Sequence, residues 1–93
     1  MEIIVTAILK PKEGCREQLL LELQKVQAAS QEETGCVQYK LHESEESAFV
    51  LYEIWKDDAA FASHMQSAHY QEYRNQIADL IETREVYKLK AIH

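Results

Sequence analysis

The amino-acid sequence predicts an α+β fold of the ferredoxin-like, split βαβ kind. Its elements run β-α-β-β-α-β, with an antiparallel sheet and the helices on one face. Three observations carry that expectation. Four short segments are apolar and β-branched or alternate with period two, whereas two longer ones repeat their apolar residues at helical spacing. The polar break between the second and third strands is too short for a crossover, so those two form a hairpin. Ninety-three residues leave no room for a second core, and residues 1–93 read as a single domain.

Ile3–Leu9 is the first strand, stopped by Lys10-Pro11-Lys12. Gly14 opens a helical stretch in which Cys15, Leu19, Leu23 and Val26 share a stripe that Leu20 and Ala29 widen. Gly35 ends it, where helices commonly take a left-handed residue. Val37, Tyr39 and Leu41 then alternate with Gln38, Lys40 and His42 as the second strand. After the turn Glu43–Ser47, Ala48–Trp55 is its antiparallel partner. Asp57 caps a helix over Asp58–Gln66, since its carboxylate can accept the free N–H groups of the first turn. Ser67 offers a second cap, so the helix breaks or bends there before Tyr70, Tyr73, Ile77, Leu80 and Ile81. Arg84–Ile92 is the last strand.

Composition excludes several classes of function. With 46% hydrophobic and 28% charged residues, two Gly and one Pro, the chain is neither disordered nor turn-rich. A net charge of −6 and no basic run argue against a nucleic-acid partner. No signal-peptide pattern opens the chain, and no apolar run is long enough to span a bilayer. Cys15 and Cys36 show neither C-x-x-C spacing nor a disulfide framework, so they read as reduced thiols in a cytoplasmic protein.

The strands Ile3–Leu9 and Ala48–Trp55 are apolar on both faces. Ile3, Val5, Ala7 and Leu9 oppose Ile4 and Ile8; Phe49, Leu51 and Trp55 oppose Val50, Tyr52 and Ile54. Helices cover only one face, and an open apolar patch of that size marks an interface. The expectation is a homodimer through the open sheet face.

Tyr52–Tyr70 is the segment richest in chemistry. A strand ending at Trp55, a cap and a helix deliver His64 and then His69 near an aromatic. Taken singly, each has a plainer reading: core for Trp55, Phe61 and Met65, a structural hydrogen bond for Glu53, support of the helix break for His69, and a surface ion pair for Arg74. A metal on the helix would prefer two His four residues apart. His64 and His69 are five apart, which on a continuous helix turns them away from each other, and H-E-x-x-H is absent. No metal site is expected.

The chain resembles the antibiotic biosynthesis monooxygenase family of dimeric α/β-barrel proteins. The likeness rests on Thr6-Ala7 and Gly14, on Glu33-x-Gly35-Cys36-x-x-Tyr39, and on Tyr52-Glu53-x-Trp55-x-Asp57 with Phe61, His64, Ser67, His69 and Tyr70. The resemblance implies a pocket between sheet and helices. It also implies oxidation of an electron-rich quinol, anthrone or phenol by dioxygen, with no cofactor. His64 and Glu53 would then be catalytic, His64 as base because an imidazole titrates near neutrality, at roughly pKa 6.5. Trp55, Phe61 and Tyr73 would wall a flat ring, and His69, Tyr70 and Arg74 would orient its polar ends.

Two further readings stay open. The pattern Asp57-Asp58-Ala59-Ala60 with His69-Tyr70 also resembles isomerases of a phosphorylated autoinducer-2-type ketose. The absence of a phosphate-binding Arg cluster and the presence of Trp55 favour the aromatic substrate. A non-catalytic dimeric module binding a small ligand is the third. Haem-degrading relatives carry an Asn where Ala7 stands and a helix Trp near the position of His64, so that branch is disfavoured.

Overall fold

Strand β1 (Ile3–Pro11) alternates buried and half-buried residues as far as Leu9, as a strand with one face on the core must. The computed structural model describes residues 1–93. After β1 come α1 (Arg16–Gln31), β2 (Cys36–Glu43), β3 (Phe49–Trp55), α2 (Asp58–Gln66), α3 (Ala68–Ile77) and β4 (Ile81–Leu89). The sheet order is β2-β3-β1-β4, with every neighbouring pair antiparallel. This is the ferredoxin-like arrangement, with the long predicted second helix divided in two.

The core lies between the sheet and the helices. Val5, Ala7 and Leu9 of β1 and Phe49, Leu51 and Trp55 of β3 meet Leu19, Leu23 and Val26 of α1 and Tyr70, Tyr73 and Ile77 of α3. These are the inward positions of two strands and the apolar stripes of two helices.

Several boundaries differ from expectation, each for a local reason. Gly14 precedes α1 in a turn, at φ +82°, where a side chain would be strained; the helix begins at Arg16. Gly35 has no left-handed backbone. It is needed for close approach instead, since a Cβ there would lie 2.3 Å from the Cβ of Ala60. β1 runs on to Pro11 past an irregularity in register between Lys10 and Pro11. Val37 is not inward: it falls at a bulge between Cys36 and Gln38 and is 53% exposed, whereas Tyr39 is buried. Leu80 and Ile81 do not continue the helix. A turn closes from Leu80 N–H to the Ile77 carbonyl, and Ile81 pairs with Pro11, so β4 begins three residues earlier than Arg84 and ends at Leu89.

The other sheet face carries no helix. Across it Ile4 pairs with Ile54 and Leu89, Thr6 with Tyr52 and Tyr87, and Ile8 with Val50. No helix is long and apolar enough to cross a membrane.

Candidate active site

Two caps set the site. The Asp57 carboxylate accepts from the Ala60 N–H at 2.8 Å, which starts α2 and turns it back over the sheet. Ser67 accepts from the Tyr70 N–H at 3.2 Å, while its own hydroxyl donates to the His64 carbonyl at 2.7 Å. One serine thus closes α2 and opens α3.

That break has a consequence for the histidines. On a continuous helix, residues five apart diverge. Here the chain turns at Ser67, and both rings reach one oxygen: Glu33 Oε2 is 2.7 Å from His64 Nδ1 and 2.7 Å from His69 Nε2. The expectation that the two histidines point apart is therefore wrong. Glu33, His64 and His69 also form the one group of side chains that could hold a metal ion, their ligand atoms lying within 4.8 Å of one another. A cation there would have to open both 2.7 Å contacts, since zinc stands about 2.0–2.2 Å from each ligand and holds its ligands farther apart than that. Both distances are those of charge-assisted hydrogen bonds, so the set reads as a hydrogen-bonded cluster.

His64 is 1% exposed, and Trp55 lies against it with ring centroids 4.3 Å apart. Burial lowers the imidazole's pKa below the usual histidine value, against the opposing pull of the Glu33 carboxylate. The ring is thus neutral near pH 7. With Nδ1–H donated to Glu33, Nε2 is left as the basic nitrogen, and it has no hydrogen-bond partner in the protein.

The ring also borders a cavity of about 200 Å³ lined by Val5, Tyr39, Leu51, Glu53, Phe61, His64, Met65, Tyr70, Tyr73, Arg74, Arg84 and Val86. Glu53, 5% exposed, accepts from Trp55 Nε1–H at 3.0 Å. Burial raises its carboxyl to about 7, partly offset by that hydrogen bond and by the charge of Arg84. Burial also raises the phenols of Tyr39 and Tyr73, keeping both protonated. The Tyr70 hydroxyl accepts from Arg74 Nη1 at 3.2 Å and Arg84 Nη2 at 3.3 Å.

Of the residues singled out in the sequence, His64, Glu53, Phe61, Tyr70, Tyr73 and Arg74 all line this cavity. Trp55 does not. It is fully buried behind His64, so no substrate ring can stack on it; it supports the histidine and Glu53 instead. His69 does not line the cavity either, and borders a separate hollow between α1 and α3 with Glu22, Lys25 and Glu72. Met65, assigned to the core, stands at the cavity and is 36% exposed.

Glu33, Tyr39 and Arg84 went unassigned. Glu33 and Tyr39 belong to the Glu33-x-Gly35-Cys36-x-x-Tyr39 motif, which was the available signal. Arg84 offered none, because its role depends on the pairing of β4 with β1. Cys15 and Cys36 are free thiols, and burial pushes Cys36 up to about 11, which leaves it a poor nucleophile.

The family model described as antibiotic biosynthesis monooxygenase matches residues 2–76. The protein named "Putative monooxygenase YcnE" from Bacillus subtilis is 42% identical over 71 residues, covering 74% of this chain and 75% of its own. "Putative monooxygenase Rv0793" from Mycobacterium tuberculosis is 33% identical over 80 residues, covering 85% of this chain and 79% of its own. The solved structure of Rv0793 superposes with a TM-score of 0.95 over 100% of this chain and 97% of that one, at 28% identity. PA3566 from Pseudomonas aeruginosa superposes at 0.92, over 99% and 95%, again at 28% identity. With its motifs, its sheet order and this match over most of its length, the chain belongs to the antibiotic biosynthesis monooxygenase family.

Proposed function

We propose that the protein is a cofactor-independent monooxygenase that oxidises an electron-rich aromatic, a quinol, anthrone or phenol, with dioxygen. The observation that carries this reading is His64. Its Nδ1–H is anchored on Glu33, its Nε2 is free, and its ring borders a largely apolar cavity.

In this reading neutral His64 takes the phenolic proton on Nε2. The phenolate passes one electron to dioxygen, and the resulting superoxide and phenoxyl radical join through a new C–O bond. Glu53, which holds its proton to about pH 7, protonates the peroxide. The O–O bond then breaks, the ring C–H hydrogen leaves as a proton, and water departs. One quinol and one dioxygen give one hydroxyquinone and one water, so no outside reductant is needed. Phe61, Tyr73 and Val86 supply apolar walls, while Tyr70 and Arg74 orient the polar end of the ring.

A second reading has one specific observation in its favour. Arg74 and Arg84 meet at the Tyr70 hydroxyl, so an arginine pair does border the cavity, against the expectation from the sequence. With Glu53 and His64 to move protons between carbons, that suits an isomerase of a phosphorylated ketose. A screen of quinols, anthrones and phosphorylated ketoses, read by oxygen uptake and product mass, separates the two. Oxygen consumed one-for-one with product supports the oxidation; rearrangement without oxygen uptake supports the isomerase.

The uncovered sheet face supports a homodimer packed sheet to sheet. Ile4, Ile8, Val50 and Ile54 occupy its centre, and Tyr87 and Leu89 extend it.

A further inference from the structure

We propose that the cavity recognises its ligand through an anionic group, a carboxylate or phosphate, bound at the Arg74–Tyr70–Arg84 end. This rests on the cavity being the substrate site, and not on which reaction takes place there.

Arg74 lies on α3 and Arg84 on β4, and the turn between the two elements brings both to the Tyr70 hydroxyl. Each guanidinium gives one N–H to the same phenol oxygen. A guanidinium carries five N–H donors, so most of this donor capacity remains unspent. Arg84 Nε is buried and has no hydrogen-bond partner at all. Buried donors are nearly always satisfied, and an orphan of this kind marks a place where a partner belongs.

The chain does not supply that partner. It has 16 acidic residues and a net charge of −6, yet neither arginine has a carboxylate within 4.0 Å. The third arginine, Arg16, does pair, with Glu43 and Glu17. Glu53 is the acid nearest in role, since it lines the same cavity. Its hydrogen bond goes to Trp55, however, and it makes no ion pair with either arginine; the charge of Arg84 only partly offsets the burial that raises its carboxyl.

Two cations held against one oxygen repel each other, with solvent at the exposed Arg74 screening part of that repulsion. An anion placed between them removes the repulsion and meets both planar forks, the geometry guanidinium groups provide for carboxylate and phosphate. Apart from Glu53 and His64, the remaining walls, among them Phe61, Met65 and Val86, are apolar or aromatic. The ligand class is therefore a small molecule with an apolar body and one terminal carboxylate or phosphate.

Calorimetric binding of benzoate, phenyl phosphate and phenol tests this without turnover. One or both anions should bind about tenfold or more tightly than phenol, the scale of charge-assisted hydrogen bonds. The better of the two names the group. Inorganic phosphate and acetate alone should bind more weakly than their phenyl counterparts. Arg84→Gln should abolish the anion's advantage by lowering anion affinity far more than phenol affinity. Where circular dichroism finds Arg84→Gln unfolded, Arg74→Gln serves in its place. Equal affinity for anions and phenol, an advantage that survives the substitutions, or no millimolar binding of either anion would overturn the proposal. Anion preference without oxygen uptake on anionic quinols keeps this inference and removes the oxidation. Turnover of neutral quinols without anion preference does the opposite.

Discussion

Glu33 and His64 are 31 residues apart in the chain, yet the Glu33 carboxylate meets His64 Nδ1 at 2.7 Å. The same oxygen holds His69. One carboxylate therefore fixes the tautomer of the cavity histidine and ties the loop after α1 to both halves of the broken helix. Glu33→Ala should lower stability by about 1–3 kcal/mol, the cost of a buried donor left without a partner. Glu33→Gln, which retains one carbonyl oxygen, should cost less. Urea denaturation of the two variants measures the difference.

Gly35 touches α2 where a methyl group would collide. Its would-be Cβ lies 2.3 Å from Ala60 Cβ, and Ala60 is in the first turn of the helix that carries His64. Gly35→Ala should destabilise by about 1–3 kcal/mol. Adding Ala60→Gly should recover part of that loss, and a double-mutant cycle reads the coupling. Purely additive losses would mean that the contact does not limit the packing.

Most of the fold was legible because period and caps are local signals. Asp57 and Ser67 announced both helix starts, and the doubly apolar strands announced an uncovered sheet face. What failed were features fixed by contacts distant in sequence. Gly35 looked like a helix terminator, but its smallness answers Ala60. His64 and His69 appeared to diverge because the angle introduced at Ser67 cannot be read from spacing. Trp55 stood at the right strand end and yet turned inward to Glu53 and His64. The arginine pair was invisible, since Arg74 and Arg84 meet only through the pairing of β4 with β1.

Glu53 makes stability depend on pH in a predictable direction. Its folded value of about 7 lies above the ordinary 4.5, so the native state holds the proton more tightly than the unfolded chain does. Its contribution is fully present below about pH 4.5 and is lost as pH rises through 7, a change of a few kcal/mol at most. Histidine 64 acts in the opposite sense, since its lowered value costs stability as pH falls below the unfolded value. The comparison with Glu53→Gln isolates the carboxyl. That variant should be more stable than the parent at pH 8 and nearly equal to it at pH 4.5. Thermal melts at the two values measure it, and an equal difference at both would exclude the effect.

The same proton predicts the rate profile. If Glu53 must be protonated to serve the peroxide, turnover should fall above about pH 7. Glu53→Gln should lower the rate and flatten that alkaline limb.

The open sheet face predicts assembly. Ile4 pairs with Ile54 and Leu89 at its centre. Light scattering at micromolar concentration should give about twice the chain mass, and Ile4→Asp should shift the protein toward monomer and lower its melting temperature together. A stable parent monomer as the only species would contradict the interface.

The central claim is that His64 removes a proton from an electron-rich aromatic that dioxygen then oxidises. Oxygen uptake by the parent and by His64→Ala, on a quinol or anthrone found in the screen, tests it most directly. The parent should consume one dioxygen per product. His64→Ala should lose about a hundredfold or more, the scale of a positioned general base, with circular dichroism unchanged. Undiminished turnover in a folded His64→Ala variant would contradict it.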